Sequence, residues 1–244
     1  MYGLIGKKLD HSFSADFFNK KFKEEGIDEY YQLFPLPSIS DLPDLLRNNP
    51  ALKGLNVTIP YKKSVIPFLN SISDEAKEIG AVNVIKITRD NGKFNLTGFN
   101  SDCLGFKNSL LPLLCPDINK ALILGTGGAS KAICYVLKQL NIQPTFVSRS
   151  PAEGQLTYKD LNKEIIGENL LIVNTTPLGM YPEVNTCPDI PYEYLTNRHI
   201  CYDLVYNPVE TKFMKMALQQ GAKVKNGYEM LVGQALEAWR IWTE

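Results

Sequence analysis

The chain has 244 residues, 44% of them hydrophobic and 21% charged, with Lys+Arg and Asp+Glu equal at 26 each. That length can bury a sizeable core as one large or two modest domains. The balanced charge, with no cluster of basic residues, argues against nucleic acid or an anionic membrane as the main partner. No apolar run approaches the length of a membrane span, and Met1–Gly6 has neither a basic leader nor a long apolar core. A soluble, cytoplasmic protein without a signal peptide is therefore expected. Cys103, Cys115, Cys134, Cys187 and Cys201 are scattered and form no C-x-x-C pair. They read as reduced, mostly buried thiols, with no metal site.

In chain order, Tyr2–Gly6 reads as a strand, followed by the polar loop Lys7–Ser14. Ser14 can cap a helix whose Phe17, Phe18 and Phe22 recur at helical spacing and which Gly26 stops. Tyr30–Leu36 predicts a second strand. A short helix then opens at Ser40 or Asp41 and ends at Asn48-Asn49-Pro50. Gly54–Lys62 reads as a strand entering a turn, 74–80 as a helix and Ala81–Ile87 as a strand. Asp90-Asn91-Gly92 has hairpin chemistry, so 93–96 returns antiparallel. Gly98–Asp102 is a loop, and a helix over Cys103–Leu114, ended by Pro116, leads to a different rhythm.

From Lys120 onward strands and helices alternate. Ala121–Leu124, Thr145–Val147, Leu170–Asn174 and Ile200–Asp203 are short apolar runs of the kind a parallel sheet covers on both faces. Helices are expected over Ser130–Leu140, Thr211–Gln220 and Tyr228–Trp242, with a last strand at Lys223–Lys225. The pattern is α/β with a doubly wound nucleotide-binding unit.

Within it, Gly125-Thr126-Gly127-Gly128-Ala129-Ser130 follows a strand and opens a helix. Glycine there permits a sharp turn and a close ligand, and the helix N-terminus offers amides and positive dipole to a pyrophosphate. Ser130 departs from the G-x-G-x-x-G/A pattern. About twenty residues on, where an NAD enzyme carries an acid, the chain reads Ser148-Arg149-Ser150. An arginine cannot accept from a ribose 2′-hydroxyl, but its fork matches a 2′-phosphate, so the cofactor indicated is NADP. A nicotinamide cofactor implies hydride transfer and a group that exchanges the hydroxyl proton. Lys62 and Asp102 are the candidates: the carboxylate orients the ammonium, and the ammonium polarises the substrate oxygen. Taken separately, each is more often an ordinary surface charge.

These residues resemble the shikimate dehydrogenase family, which includes shikimate/quinate dehydrogenases, essentially from end to end. The family's motifs match Ser12-Phe13-Ser14, Asn56–Lys62, Gly80–Asn83, Asn100-Ser101-Asp102, Gly125–Ser130, Asn174–Met180, Tyr202–Pro208 and Gly227–Gln234. The resemblance implies an N-terminal α/β substrate domain over 1–102, completed by the C-terminal helix 227–244. It implies a Rossmann-like NADP-binding domain over 103–226 and a cleft between the two. It implies reversible NADPH-dependent reduction of 3-dehydroshikimate to shikimate in chorismate and aromatic amino-acid biosynthesis, with Lys62 and Asp102 as the catalytic pair.

It also implies that Ser12 and Ser14 hold the substrate carboxylate, while Asn56, Thr58, Asn83, Asp102 and Gln234 hold ring hydroxyls, with Tyr206 beside the substrate. Structural readings stand alongside: Asn56 and Thr58 as strand polar residues, Gln234 as helix surface, and Asn83 as a turn residue whose buried amide needs a partner. Gly125, Thr126, Gly127, Gly128, Ala129, Ser148, Arg149, Ser150, Thr175, Pro177, Met180, Leu204 and Gly227 would contact the cofactor. The chain departs from the family where a second cation usually follows the arginine, since Pro151-Ala152-Glu153 stands there. Asn226 replaces a usual aspartate. The partners expected are a small-molecule substrate and at most a second copy of the chain. Competing readings are a quinate- or NAD-using paralogue and a noncatalytic dinucleotide-binding regulator; a methyltransferase would want an acid where Arg149 stands.

Overall fold

The computed structural model of the protein describes residues 1–9, 12–90 and 92–244. By contacts the chain divides into two units, Met1–Ser101 with Ala235–Glu244, and Asp102–Gln234. The first unit contains β1 (Tyr2–Gly6), α1 (Phe13–Glu24), β2 (Tyr31–Pro35), α2 (Leu42–Asn48), β3 (Gly54–Val57), α3 (Tyr61–Ser64), β4 (Ser71–Ile72), α4 (Asp74–Ile79), β5 (Val84–Asp90) and β6 (Lys93–Phe99). Its sheet runs in the order β2-β1-β3-β5-β6-β4. β1 lies parallel to β2 and β3, and the β5–β6 hairpin adds antiparallel, with Asp90 opposite Lys93. Gly92 takes the positive φ (+77°) that the hairpin chemistry anticipates. Asn91, and Asp10 and His11 of the first loop, lie outside the described residues.

Local capping follows the sequence in places and departs from it in others. The Ser73 side chain accepts from the Ala76 amide and caps α4, and Gly80 closes that helix in the left-handed region. α1 does not use Ser14 as its cap: the helix begins at Phe13, one residue before Ser14, with Ser12 at the N-cap position and no side-chain cap bond. One sheet face packs Ile5, Leu55, Val57, Ile85 and Leu52 into a single cluster. The other buries Phe18, Phe22, Tyr2 and Trp242. Trp242 donates to the Ile85 carbonyl (3.1 Å), and Trp239 packs edge-on to Tyr2, so both tryptophans turn inward.

The second unit holds α5 (Asp102–Leu110), β7 (Lys120–Leu124), α6 (Gly128–Gln139), β8 (Gln143–Val147), α7 (Lys163–Glu168), β9 (Leu171–Asn174), β10 (Ile200–Asp203), α8 (Lys212–Gln219) and β11 (Lys223–Lys225). Its strands pair in parallel in the order β11-β10-β9-β7-β8. Leu122, Leu124, Ile172 and Cys201 sit in its core, consistent with continuous apolar strands covered on both faces. The terminal helix α9 (Tyr228–Thr243) is divided by contacts between Gln234 and Ala235. Its first half meets α5 at two glycines: a Cβ on Gly105 would lie 2.5 Å from the Met230 carbonyl oxygen, and one on Gly233 would lie 3.1 Å from Gly105 Cα. Its second half contributes Ala235, Ala238 and Trp242 to the first unit's aromatic cluster.

The cysteines are free, but they are less buried than expected. Cys103 and Cys201 are buried, Cys134 and Cys187 half-buried and Cys115 exposed, since Cys115 follows the surface turn Leu111–Leu113. Among the described residues no cluster of His, Cys, Asp or Glu could hold a metal, and no helix is long and apolar enough to cross a membrane.

Candidate active site

In the second unit, strand order reverses at β7, whose neighbours are β8 and β9. Ligands of such sheets sit beyond the carboxyl ends of the strands at that reversal. The loop leaving β7 turns at Gly125 with φ +102°, where a Cβ would stand 3.0 Å from both Thr175 Oγ1 and Thr176 Cγ2 of the loop leaving β9. Glycine is thus required twice at this position, by its backbone angle and by the neighbouring loop. The Thr175 amide and hydroxyl both donate to the Leu124 carbonyl, at 3.0 and 2.7 Å. These bonds join two of the sequence-predicted cofactor segments.

Gly127 occupies the N-cap of α6, and open space surrounds the place its Cβ would take. α6 begins at Gly128, two residues before its expected start at Ser130. Ser130 is buried in the first turn and donates to the Gly127 carbonyl (2.7 Å). Its hydroxyl is satisfied inside the turn, which explains how serine replaces the usual small residue. Exposed Thr126 and half-buried Ala129 complete the loop. First-turn amides lack intrahelical partners and carry the positive end of the dipole, so glycine-lined space at a twelve-residue helix fits a pyrophosphate.

Arg149 is exposed just beyond β8. Ser148 Oγ donates to the Ser150 carbonyl and accepts from the Ser150 amide, both at 3.2 Å, and so holds the turn that presents the arginine. Tyr158 lies near enough to feel that guanidinium, although burial still pushes its hydroxyl's pKa up.

Behind the β9 loop sits a buried polar network. Asn174 Nδ2 donates to Asp203 Oδ1 (2.9 Å), while its Oδ1 accepts from the Thr176 amide (3.0 Å) and hydroxyl (2.7 Å). Asp203 also accepts from the Val205 amide (3.0 Å) and the Thr211 hydroxyl (2.6 Å). Burial raises the Asp203 carboxyl to about 6, against the opposing pull of these three bonds. The loop's Pro177 and Met180 are exposed. The Leu204 amide donates to the Asn174 carbonyl (3.0 Å). Gly227 lies so close over the Leu204 backbone that any Cβ would overlap its carbonyl. Tyr206 is partly exposed, and burial pushes its hydroxyl's pKa up. Asp203 carried no role in the sequence reading; an ionisable residue ending the buried run Ile200–Asp203 was the available signal.

In the first unit, Lys62 is half-buried on α3. Its neighbour Tyr61 is buried and donates to the Leu36 carbonyl (2.6 Å), and the Lys62 carbonyl accepts from the Val82 amide (2.7 Å). The lysine backbone is held from both sides. Asn83 does find a buried partner: its Nδ2 donates to Ser101 Oγ (3.1 Å) and its Oδ1 accepts from the Ser101 amide (2.7 Å). Asn56 Nδ2 donates to the Asn83 carbonyl (3.3 Å), while Asn56 Oδ1 accepts from the Tyr31 hydroxyl (2.7 Å). Ser14 is half-buried in the first turn of α1. Thr58 is half-buried, and its amide donates to the Ile5 carbonyl (2.9 Å). Ser12 is half-buried at the start of α1. Two predicted substrate residues, Asn56 and Asn83, are therefore linked in one chain that ends at Ser101, and Tyr31, absent from the sequence reading, is a member of it.

Asp102 opens α5 and is 2% exposed, and Gln234 lies on α9. Both belong to the second unit, where Gly105 approaches Gln234: a Cβ there would be 2.9 Å from the Gln234 amide nitrogen. Lys62 belongs to the first unit.

A family model described as the shikimate dehydrogenase substrate binding domain matches residues 4–85. Over its whole length the chain is 40% identical to a shikimate dehydrogenase (NADP(+)) of Clostridium beijerinckii, covering 92% of that protein. The shikimate 5-dehydrogenase of Thermus thermophilus, solved in complex with NADP(H) and shikimate, superposes with a TM-score of 0.86 at 29% identity, covering 99% of this chain and 92% of that one. A quinate dehydrogenase of Corynebacterium glutamicum, solved with NAD, gives 0.87 at 27% identity, with 99% and 93% covered.

Proposed function

We infer the function from one premise: the chain belongs to the shikimate dehydrogenase family. It is an NADP-dependent oxidoreductase acting on a CH–OH group, and the reaction is the reversible reduction of 3-dehydroshikimate to shikimate, a step toward the aromatic amino acids. The observation that carries this reading is the 40% identity across all of the chain, which spans substrate-side and cofactor-side motifs alike.

The residue roles are our proposal. Gly125, Thr126, Gly127, Gly128 and Ala129 receive the pyrophosphate, and Arg149 grips the 2′-phosphate with Ser148 and Ser150 shaping its turn. Thr175, Pro177, Met180, Leu204 and Gly227 border the nicotinamide. The bound cofactor supplies hydride. Lys62, oriented by Asp102, gives a proton to the ketone oxygen during reduction, and the pair takes it back in the reverse direction. Ser12 and Ser14 hold the carboxylate by hydroxyl donation. Asn56, Thr58, Asn83, Asp102 and Gln234 sort the ring hydroxyls, with Tyr206 at the substrate's edge. Free thiols suit a reducing compartment, and the cytoplasm is the location we assign.

The test is an absorbance assay of the purified protein with shikimate and quinate, each against NADP+ and NAD+. Shikimate with NADP+ should give the highest kcat/KM. A preference for quinate or NAD+ would replace this reading with that of the paralogue, and cofactor binding without turnover would make the protein a regulator.

A further inference from the structure

Asn174 and Asp203 stand opposite each other at the carboxyl ends of the neighbouring parallel strands β9 and β10, and Thr211 is the N-cap of α8. All three are 0% exposed, so whatever they do for a ligand passes through other residues. Burying polar side chains is costly unless each finds a partner, and here the partners lead to one place, the loop that follows β9.

Asn174 Oδ1 accepts both the amide and the hydroxyl of Thr176, and that hydroxyl accepts in turn from the Leu178 amide (3.3 Å). With its oxygen so occupied, the Asn174 side-chain amide has one orientation, and its nitrogen needs an acceptor. Asp203 Oδ1 is that acceptor. Asp203 Oδ2 accepts from Thr211 Oγ1, and Thr211 backs the far end of the same loop: a Cβ on Gly179 would stand 3.4 Å from Thr211 Cβ. Gly179 itself turns with φ +89°, and its amide donates to Thr186 Oγ1 (2.9 Å). The Thr175 amide donates to the Leu124 carbonyl, Met180 to that of Pro177 and Tyr181 to that of Asn207. Apart from Pro177, which has none, every amide from Thr175 to Tyr181 therefore donates within the protein. The loop has its shape before a ligand arrives.

From this geometry we propose that Asp203 is a positioning residue for the nicotinamide end of the cofactor, acting through Asn174 and Thr211 on the loop Thr175–Met180. The inference rests on the proposed roles of Thr175, Pro177 and Met180 beside the nicotinamide. Asp203 holds the loop at its start and near its end, so the residues between meet the ring in a conformation already in place. Without that acceptor the Asn174 amide is free to turn, and Thr176 loses two bonds with it. The cofactor must then order the loop, which weakens its binding. The Arg149 turn leaves β8, separated from β9 and β10 by β7, and does not share the loss.

The experiment is calorimetric titration of wild type, Asn174→Ala, Asp203→Ala and Asp203→Asn with two probes. One is NADP+; the other is 2′-phospho-ADP-ribose, the same molecule without its nicotinamide. Asn174→Ala and Asp203→Ala should each weaken NADP+ roughly tenfold, the worth of one hydrogen bond, and leave 2′-phospho-ADP-ribose within about twofold. Asp203→Asn should bind NADP+ within about twofold of wild type, because its oxygen still accepts from Asn174 while its nitrogen donates to Thr211. A merely structural loss would weaken both probes alike. If Asp203→Ala does not fold, Asn174→Ala and the Asp203→Asn rescue decide the matter. Equal weakening of both probes, unchanged NADP+ affinity in Asn174→Ala, or a tenfold loss in Asp203→Asn would each overturn the positioning role. Wild type that binds neither probe ends the function reading and this inference with it; wild type that binds both isolates the part played by Asp203.

Discussion

The two units prepare for a ligand in opposite ways. The first lines its mixed sheet with side-chain hydrogen bonds: Tyr31, Asn56, Asn83 and Ser101 follow one another with no glycine among them. The second exposes backbone at the end of a parallel sheet, where Gly125 and Gly127 remove side chains from the loop. A buried network headed by Asp203 supports the neighbouring loop from behind. The contrast follows from what each unit is proposed to bind. A small polyol offers only hydroxyls and a carboxylate, so it must be sorted by side chains in fixed orientations. A pyrophosphate carries charge that any helix N-terminus attracts, so backbone suffices.

The largest effect is expected at the proposed chemistry. Lys62→Ala should lower kcat by about 10³-fold, within the range general acid–base groups supply, with the thermal midpoint unchanged. A loss under tenfold would remove Lys62 from its assigned role and leave the first unit a binding surface alone.

Next is the support behind the second unit's loop. With its carboxyl raised to about 6, Asp203 keeps a proton in the folded state that the unfolded chain, at roughly 3.9, has lost. The unfolded state binds fewer protons between those values, so the contribution of Asp203 is fully present below about pH 4 and is lost, by about 3 kcal/mol, as pH rises through 6. Asp203→Asn keeps an oxygen for Asn174 and Val205, and Thr211 can turn to accept from the new nitrogen. This variant should fold and lose that pH dependence, which denaturant titrations from pH 4 to 7 would read. Retention of the slope would assign it to other groups.

Arg149→Glu should then lower the ratio of kcat/KM for NADPH over NADH by roughly thirtyfold, about 2 kcal/mol, as expected for a charged hydrogen bond. Equal losses for both cofactors would deny the arginine its phosphate. The smallest effect belongs to Gly125→Ala. Its strained φ and the 3.0 Å approach to Thr175 and Thr176 should cost about 1–2 kcal/mol by thermal melts and weaken NADPH before shikimate. Weakening of both alike would break the contrast between the units.

Much of the second unit was legible because its signals are local. Apolar runs marked β7, β9 and β10, and the run of glycines after Leu124 marked a loop whose chemistry needs no distant partner. β4 and α7 escaped because two residues and six residues leave little periodicity to read. In the first unit the motif residues could be named but not their connections. Ser14 read as a helix cap because an N-terminal serine so often caps, yet the helix starts one residue before it, at Phe13. Asn83 announced that it needed a partner, but Ser101 is across the β5–β6 hairpin. Asp203 gave no sign that burial would raise its carboxyl, since that depends on how completely the fold removes it from water against the opposing bonds from Thr211, Val205 and Asn174.

The most direct measurement crosses the two units. Wild type, Asn56→Ala and Arg149→Glu would be assayed by absorbance of the reduced nicotinamide while shikimate and NADP+ are varied independently. Divided recognition requires Asn56→Ala to raise KM for shikimate alone and Arg149→Glu to raise KM for NADP+ alone. Either variant moving both constants by the same factor would contradict it.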